Sequence, residues 1–319
     1  MKKNLKTNII WLALIAVVYA ILSALIVAGI INAFVAQIIT QIGINLIVAV
    51  GLNLVIGFTG QFSFGSAGFM AIGAYTSAIV TARLAPTWGT IFLSMLIGAI
   101  VAGVVAVIVG YPTLRLKGDY LAIATLGVSE IIRILIMNGG DLTNGAAGLS
   151  GIILFTDWGM TFIFAVVVII LILNFINSPS GRATLSVRED EIASESMGVN
   201  VTRVKVIAFT LGAMVTAVAG SLYAGFIGTV TPKDFTWMKS VDALIIVVLG
   251  GLGSITGTVI AAIILGLLNM FLQDFGAIRM IIYSLVLILV MIFRPGGLLG
   301  TWEFKISRFF TQKEKKEAK

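Results

Sequence analysis

The sequence contains neither cysteine nor histidine, and only 11% of its 319 residues are charged. Without thiols or imidazoles the chain has no disulfide framework, no ordinary base to activate a serine, and none of the usual nitrogen or sulfur ligands for zinc, iron or copper. A soluble domain carries about a quarter charged residues, so this chain cannot cover a globule with solvated surface. These shortages exclude an ordinary soluble protein and most hydrolytic enzymes.

Apolar residues are abundant instead: 59% of the chain is hydrophobic and the mean hydropathy is +1.11. A bilayer crossing takes roughly 20 apolar residues. Intervals of that length or more without any charge lie at 7–82, 84–114, 158–181, 206–232 and 243–273. We therefore predict an all-α, polytopic transmembrane bundle of about 8–10 crossings, placed at 9–31, 34–57, 66–82, 90–110, 119–137, 160–177, 204–230 and 277–293, with one or two more within 241–273.

The distribution of basic residues predicts the orientation, because lysine and arginine prefer the cytoplasmic side of a membrane. They cluster at 2–6, 115–117, 182–205 and 294–319. All four clusters are cytoplasmic only if 241–273 folds as a hairpin around the glycines at 250–254; a single crossing would put the tail outside. The first apolar run is too long for a signal peptide, so we expect it to be a retained helix.

The predicted regions are accordingly a cytoplasmic N-terminus at 1–8, one transmembrane domain at 9–300 with a cytoplasmic loop at 178–203, and a basic cytoplasmic tail at 301–319. Two external segments lie at 138–159 and 231–240. Both can be solvated connectors, although a loop as long as the first is also typical of a docking surface.

The sequence lacks the residues that three kinds of enzyme site require. Ser66 lies in a Gly-Ser-Ala-Gly sequence but has no histidine to activate it. Asp119 follows a glycine, as in some membrane proteases, but no second carboxylate lies at depth with it. A phosphate-binding loop needs a Gly-Lys pair, which the sequence lacks, so ATP-driven transport would require an ATPase on another polypeptide.

Small and amide residues within the apolar spans are candidates for a translocation path. Glycines are dense at 57–73 and 250–257, where they permit either close helix packing or a pair of broken helices beside a path. Three amides share one face of the second predicted helix and should meet protein or water rather than lipid. The candidate path residues are Gln37, Gln41, Asn45, Gly65, Gly68, Gly250 and Gly253. Glu130 and Arg133, three residues apart, are predicted to form a structural ion pair.

The polar segment 178–205 is predicted to contain a short helix at 187–197. Ser186 and Glu189 fit a capping box at its start, and Gly198 suits the left-handed residue that ends a helix. Glu191 and Glu195 are stacked like charges, which favours a basic partner protein over plain solvation.

Several stretches resemble the inner-membrane permeases of branched-chain amino acid ABC importers, and specifically their M-type subunit. In order along the chain they are GLNLVIGFTGQFSFG (51–65), LKGDYLAIATLGVSEIIR (116–133), NGAAGLSG (144–151), REDEIASESMGVN (188–200), GGLGS (250–254) and RPGGLLG (294–300). The resemblance implies an importer built from this permease, a second related permease, two cytoplasmic ATP-binding subunits and an extracytoplasmic protein that delivers leucine, isoleucine or valine. It also implies a bacterial-type plasma (inner) membrane location and no cofactor on this chain, ATP being bound by the partners.

The resemblance further implies that 187–198 is the helix that couples such permeases to their ATPases. The residues expected to serve in it are Arg188, Glu189, Glu191, Ile192, Glu195, Met197 and Gly198. The sequence departs from the general importer signature Glu-Ala-Ala-x-x-x-Gly, because four residues separate Glu191-Ile-Ala from Gly198. Two alternatives remain open: a urea or short-chain amide permease of the same superfamily, and a secondary transporter that works alone.

Overall fold

A computed structural model of the chain describes residues 2–84, 87–272, 275, 281–282, 284–285, 288, 292–294, 296–300 and 303. The described part is all-α, as predicted. Its helices are α1 (Lys2–Val27), α2 (Ala33–Thr59), α3 (Ser66–Arg83), α4 (Trp88–Thr113), α5 (Asp119–Met137), α6 (Trp158–Asn177), α7 (Pro179–Glu189), α8 (Glu191–Ser196), α9 (Val201–Ile227), α10 (Trp237–Gly250) and α11 (Ile255–Phe271). Strands β1 (Leu149–Ser150) and β2 (Thr229–Val230) form an antiparallel pair, and 3-10 turns lie at Gly140–Leu142, Gly145–Ala147 and Pro232–Phe235.

Five described helices, α2, α4, α5, α6 and α9, are long and apolar enough to cross a bilayer. Helices α10 and α11 meet that standard only as a pair, which is bent by 119° where they join. The described residues therefore hold five or six candidate spans by length and composition, and the polytopic bundle is confirmed. The apolar part of α1, Ala13–Val27, is shorter, and the crossing predicted at 277–293 lies largely outside the described residues.

The bounds of these helices follow from local side chains and glycines. Asp157 caps α6 by accepting a hydrogen bond from Met160 N at 2.7 Å, and Thr87 caps α4 together with Thr90. Helices α2 and α9 end at Gly60 and Gly228, whose φ angles of 71° and 77° favour glycine. The chain can therefore turn sharply after each of these two long helices.

Helix α9 lies at the centre of the bundle, against α2, α3 and α4. Small residues bring its backbone close to α3, because a Cβ added at Gly73 would lie 2.7 Å from Ala217 Cα, and one at Gly220 would lie 2.8 Å from the Met70 carbonyl carbon. Ser221 Oγ also donates to Gly73 O at 3.0 Å. Close backbone approach of this kind is typical of helix packing in membranes, where small residues replace a hydrophobic driving force.

The two ends of the bundle differ. The α7–α8 end carries these two helices, the C-terminal end of α2 and the junction of α10 with α11. The β1–β2 end carries the strand pair, which joins the external segment predicted at 138–159 to the last two residues of the crossing predicted at 204–230: Leu149 pairs with Val230, and Ser150 with Thr229. The sequence did not predict this strand pair.

Candidate coupling site and translocation path

The polar loop folds as two short helices rather than one. Ser178 caps α7 by accepting a hydrogen bond from Gly181 N at 3.1 Å, and Pro179 occupies its first turn. Asp190 then interrupts the helix in an extended conformation, and its Oδ1 accepts from Ile192 N and Ala193 N to start α8. The prediction of a single helix at 187–197 is therefore wrong.

The predicted capping box is wrong for the same reason. Ser186 and Glu189 both lie inside α7, which begins earlier at the Ser178-Pro179 cap, and Ser186 Oγ donates to Ala183 O at 2.9 Å. The cap that starts α8 is Asp190. Gly198 does adopt the left-handed conformation expected beyond the end of that helix, with φ 85°.

Helix α8 and the residue after it present an exposed, mainly apolar surface. Ile192 and Met197 are 75% and 85% exposed, and Glu195 is exposed beside them. In the described part of the chain no hydrogen bond or ion pair engages the Glu195 side chain. We call Ile192, Glu195 and Met197 the α8 surface; it is available for a protein contact.

Glu191, the other acid of α8, is compensated within the chain. It forms an ion pair with Lys205 of α9, which is only 5% exposed, and its second oxygen lies 3.7 Å from Lys117 Nζ. The expectation that a partner supplies basic groups to both acids is therefore wrong for Glu191 and stays a prediction for Glu195. The ion pair fixes α8 to the start of α9, since a buried ammonium is costly without its counter-charge.

Arg188, at the end of α7, turns back into the bundle. Its Nη1 donates to Gly57 O at 2.7 Å, while Nη2 lies 2.9 Å from Glu189 Oε1. Gly57 belongs to the last turn of α2, so Arg188 joins the polar helix pair to a membrane-spanning helix. The Glu189 carboxylate, which is largely exposed, orients the guanidinium from outside.

Gly57 in turn packs against the junction of α10 with α11. Asn53, one turn earlier on α2, is fully buried; its Oδ1 accepts from Gly253 N at 2.9 Å, and its Nδ2 donates to Ser254 O and Thr258 Oγ1 at 3.0 and 2.8 Å. A Cβ added at Gly57 would overlap Asn53 Oδ1 and lie 2.9 Å from Gly253 Cα. We call Asn53, Gly57, Arg188 and Gly253 the Arg188 node.

The C-terminal motif also closes on this junction. Leu298 N donates to Leu249 O at 2.7 Å. The Glu303 carboxylate accepts from Ile255 N and from Thr256 Oγ1, the latter at 2.7 Å. A carboxylate at a helix N-terminus is stabilised by the helix dipole, so Glu303 caps α11 from a distant part of the chain.

A second break separates α2 from α3. Residues 60–65 are non-helical and enter the bundle: Phe64 N donates to Thr125 Oγ1 of α5, and Ser240 Oγ of α10 donates to Phe64 O at 2.8 Å. The Gln61 amide is 2% exposed, yet neither its nitrogen nor its oxygen has a partner in the described structure. Irregular backbone within a membrane bundle is tolerated only where protein or a water-filled cavity surrounds it.

The four candidate path glycines differ in their surroundings. A Cβ at Gly68 would lie 2.8 Å from Ser129 Cα, one at Gly250 would lie 2.6 Å from Gly257 C, and one at Gly253 would meet Arg188 Nη1 at 2.7 Å. At Gly65 the nearest atom, on the Phe69 ring, would be 3.4 Å away, which is ordinary contact. Three of these positions thus lie in close contacts, and Gly65 does not.

The amide row of α2 lies apart from these breaks. Gln41 Nε2 donates to Asn45 Oδ1 at 3.3 Å within the helix, and Gln37 is exposed. At 1.5 Å per residue, Asn45 lies about 18 Å along α2 from Gly57. Glu130 and Arg133 form an ion pair of 2.7 Å on α5. The structure therefore brings Gly253 and Arg188 together and leaves Gly65, Gly68 and the amide row elsewhere.

Several residues of this site were not predicted from the sequence. Asn53, Thr258, Lys205 and Glu303 were not singled out, although each is a polar residue next to a glycine-rich or helix-capping stretch. A buried amide such as Asn53 inside an apolar span was the clearest available signal, because it must find hydrogen bonds within the protein.

The helices are long enough to cross a bilayer and are interrupted at two glycine-rich breaks, one of which is linked to an exposed polar helix pair. These features are those of a polytopic membrane permease. The chain belongs to the family described as branched-chain amino acid transport system / permease component, whose model matches residues 34–294. The family resemblance found in the sequence is thereby confirmed.

Individual proteins similar to this chain are also branched-chain amino acid transport permeases. The chain is similar to the high-affinity branched-chain amino acid transport system permease protein LivM of Escherichia coli (strain K12) and of Salmonella typhimurium, at 37% and 36% identity over 276 residues. Each alignment covers 76% of this chain and 64% of the relative, so the chain spans less than two thirds of either relative's length. Permease protein LivH of Escherichia coli (strain K12) is 32% identical over 145 residues, 45% of this chain and 46% of that protein. No solved structure matches the chain.

Proposed function

We propose that this chain is the membrane-spanning permease subunit of an ATP-driven importer that translocates leucine, isoleucine or valine. The names of its relatives and its family support the substrate class. The observation that carries the ATP-driven mechanism is the Arg188 node. An exposed helix that can contact a partner is joined, through one side chain, to the packed break between α10 and α11.

In the proposed transport cycle, the Arg188 node transmits movement of α8 to the junction of α10 with α11. Two ATP-binding subunits contact the α8 surface, and ATP binding and hydrolysis take place on them, so this chain holds no cofactor. A shift of α8 moves Arg188, and Arg188 displaces Gly57 O relative to Gly253. Because both backbones are in close contact there, the displacement passes to α10 and α11 rather than being absorbed by loose side chains.

The proposed orientation puts the α7–α8 end in the cytoplasm of a bacterial-type cell, with both termini on that side. Basic residues are concentrated at that end, namely Arg115, Lys117, Arg182, Arg188, Arg203 and Lys205. The contact of Leu298 with Leu249 supports the same side for the C-terminal tail. The β1–β2 end then faces outward, where a substrate-delivering protein docks, and a second related permease completes the path.

The experiment that tests the proposal replaces Ile192 and Met197 together with aspartate. Apolar anchors dominate protein contacts, so the double variant should lose co-purification of the ATPase subunits and ATP-dependent leucine uptake in reconstituted membranes. Leu142→Asp is the matched control, because Leu142 is 48% exposed but lies near the β1–β2 end. It should leave co-purification of the ATPase subunits unchanged, because that end faces away from the α8 surface.

Two results would contradict the proposal. Leucine uptake by this chain without any ATPase would indicate a transporter that works alone. Uptake of urea in place of leucine by the assembled complex would reassign the substrate to the amide permeases.

A further inference from the structure

Helix α10 carries two charges, Lys239 and Asp242, one turn apart and inside the bent pair of apolar helices. In the described part of the chain neither side chain takes part in an ion pair within 4.0 Å or in a hydrogen bond. Residues three apart on a helix have Cβ atoms about 5–6 Å from each other. The pair is therefore close enough to act together, yet its members do not neutralise each other directly.

The Lys239 side chain lies over an aromatic ring. Its Nζ lies 5.4 Å from the centre of the Tyr223 ring, and that ring packs edge-on against Phe235, which is fully buried. The nearby carboxylate of Asp234 is already engaged by Thr231, whose N and Oγ1 donate to Oδ2 at 2.8 and 3.0 Å. The ammonium thus lies over a ring face, and no carboxylate among the described residues is within 4.0 Å of it.

Asp242 is exposed on a face that is otherwise apolar, with Met238 one turn before it. A carboxylate toward lipid is costly, and ionisable groups in membrane spans usually face a polar partner or a water-filled path. Between the two charges, Ser240 packs inward: its Oγ accepts from Ala67 N at 2.9 Å and donates to Phe64 O at 2.8 Å. The turn of α10 that carries both charges therefore packs, through Ser240, on the break between α2 and α3.

We propose that Lys239 and Asp242 form the subsite that receives the zwitterionic backbone of the amino acid as it enters the path from the β1–β2 end. Lys239 contacts the α-carboxylate and Asp242 the α-ammonium, two groups that share one carbon atom in every amino acid. The inference rests on the proposed function and extends it, because it assigns recognition of the charged backbone to this permease. A neutral amide such as urea would have no use for such a pair.

The test measures leucine uptake by the complete complex in proteoliposomes, with saturating loaded binding protein and with ATP. Loss of a charged hydrogen bond corresponds to about a ten- to hundred-fold effect. Lys239→Gln and Asp242→Asn should each lower uptake by about that factor, and Lys239→Arg and Asp242→Glu should recover much of it. Arg83→Gln and Asp119→Asn are matched controls, because both residues are exposed and distant in sequence; they should transport like the parent.

The double variant Lys239→Gln with Asp242→Asn separates a ligand site from a structural pair. Two charges that bind different groups of one ligand should give a double variant at least as impaired as the worse single variant. Recovery in the double variant would show that the charges serve each other and would overturn the proposal. So would loss of the second permease from purified Asp242→Asn complexes, or normal uptake by both single variants. Absence of ATP-dependent leucine uptake by the parent complex would refute the proposed function instead.

Discussion

Replacing Gly57 with alanine should break the Arg188 node at its tightest point. The added methyl group would overlap Asn53 Oδ1 and lie 2.9 Å from Gly253 Cα, whereas carbon atoms prefer about 3.5–4.0 Å. Asn53 cannot rotate away freely, because its amide makes three hydrogen bonds to residues 253, 254 and 258. Either the amide loses these bonds or α2 separates from the α10–α11 junction.

The loss of stability caused by Gly57→Ala can be estimated from those contacts. Three hydrogen bonds at about 0.5–1.5 kcal/mol each, together with overpacking at about 1–3 kcal/mol, give a destabilisation of about 2.5–7.5 kcal/mol. At roughly 2–4 °C per kcal/mol, the apparent melting temperature of the purified complex should fall by at least about 5 °C. ATP-dependent uptake should fall as well, because the backbone that Arg188 contacts has moved.

Gly127→Ala is the matched control. Gly127 lies within α5, and a Cβ there would meet nothing within 4 Å, so the same substitution should leave the melting temperature unchanged or slightly raised. A Gly57→Ala complex that melts and transports like the Gly127→Ala complex would refute the close contact between α2 and the α10–α11 junction. Loss of transport without loss of stability would instead mean that the node moves during the cycle without supporting the fold.

Three further perturbations address the surrounding contacts. Lys205→Met should destabilise the complex by about 1.5–3 kcal/mol, because Glu191 then keeps only the distant Lys117; adding Glu191→Gln should recover part of the loss in thermal unfolding. Glu303→Gln should lower the melting temperature by the equivalent of about 1 kcal/mol, since an uncharged amide is a weaker cap for α11; an unchanged value would show that the cap contributes nothing. Gly198→Ala should cost about 1–2 kcal/mol of backbone strain at φ 85° although space is free around it, and limited proteolysis between α8 and α9 should become faster.

The predicted helices that the structure describes lie close to where hydropathy placed them. The crossing predicted at 119–137 coincides with α5, and the one at 160–177 differs from α6 by two residues at its start. Three signals are properties of continuous stretches of sequence: the length of a stretch without charged residues, the glycines that end helices, and the family motifs. They can therefore be recognised without knowing the fold. The glycines at 250–254 and the charge of the tail predicted a hairpin of two crossings, with a single crossing as the alternative; the structure has a bend of 119° there, between two helices that reach the length of a span only as a pair.

In the polar loop 178–205, the helix start predicted from neighbouring residues is wrong. Ser186 and Glu189 have the spacing of a capping box, but Ser178-Pro179 starts a helix earlier and Asp190 restarts it. Several residues in this loop can cap a helix, and their competition is settled by packing against α2, α6 and α9. The spacing of two residues cannot decide which cap forms.

By itself the sequence determined that this chain is an all-helical membrane permease, because hydropathy, charge distribution and family motifs are properties of continuous stretches. Only the tertiary structure decided which polar groups meet. Arg188 reaches Gly57 across 131 positions, Asn53 reaches Gly253 across 200, and Lys205 reaches Glu191 around the turn between two helices. In an apolar bundle each buried polar group must find a partner, but which partner it finds depends on how the helices pack in three dimensions.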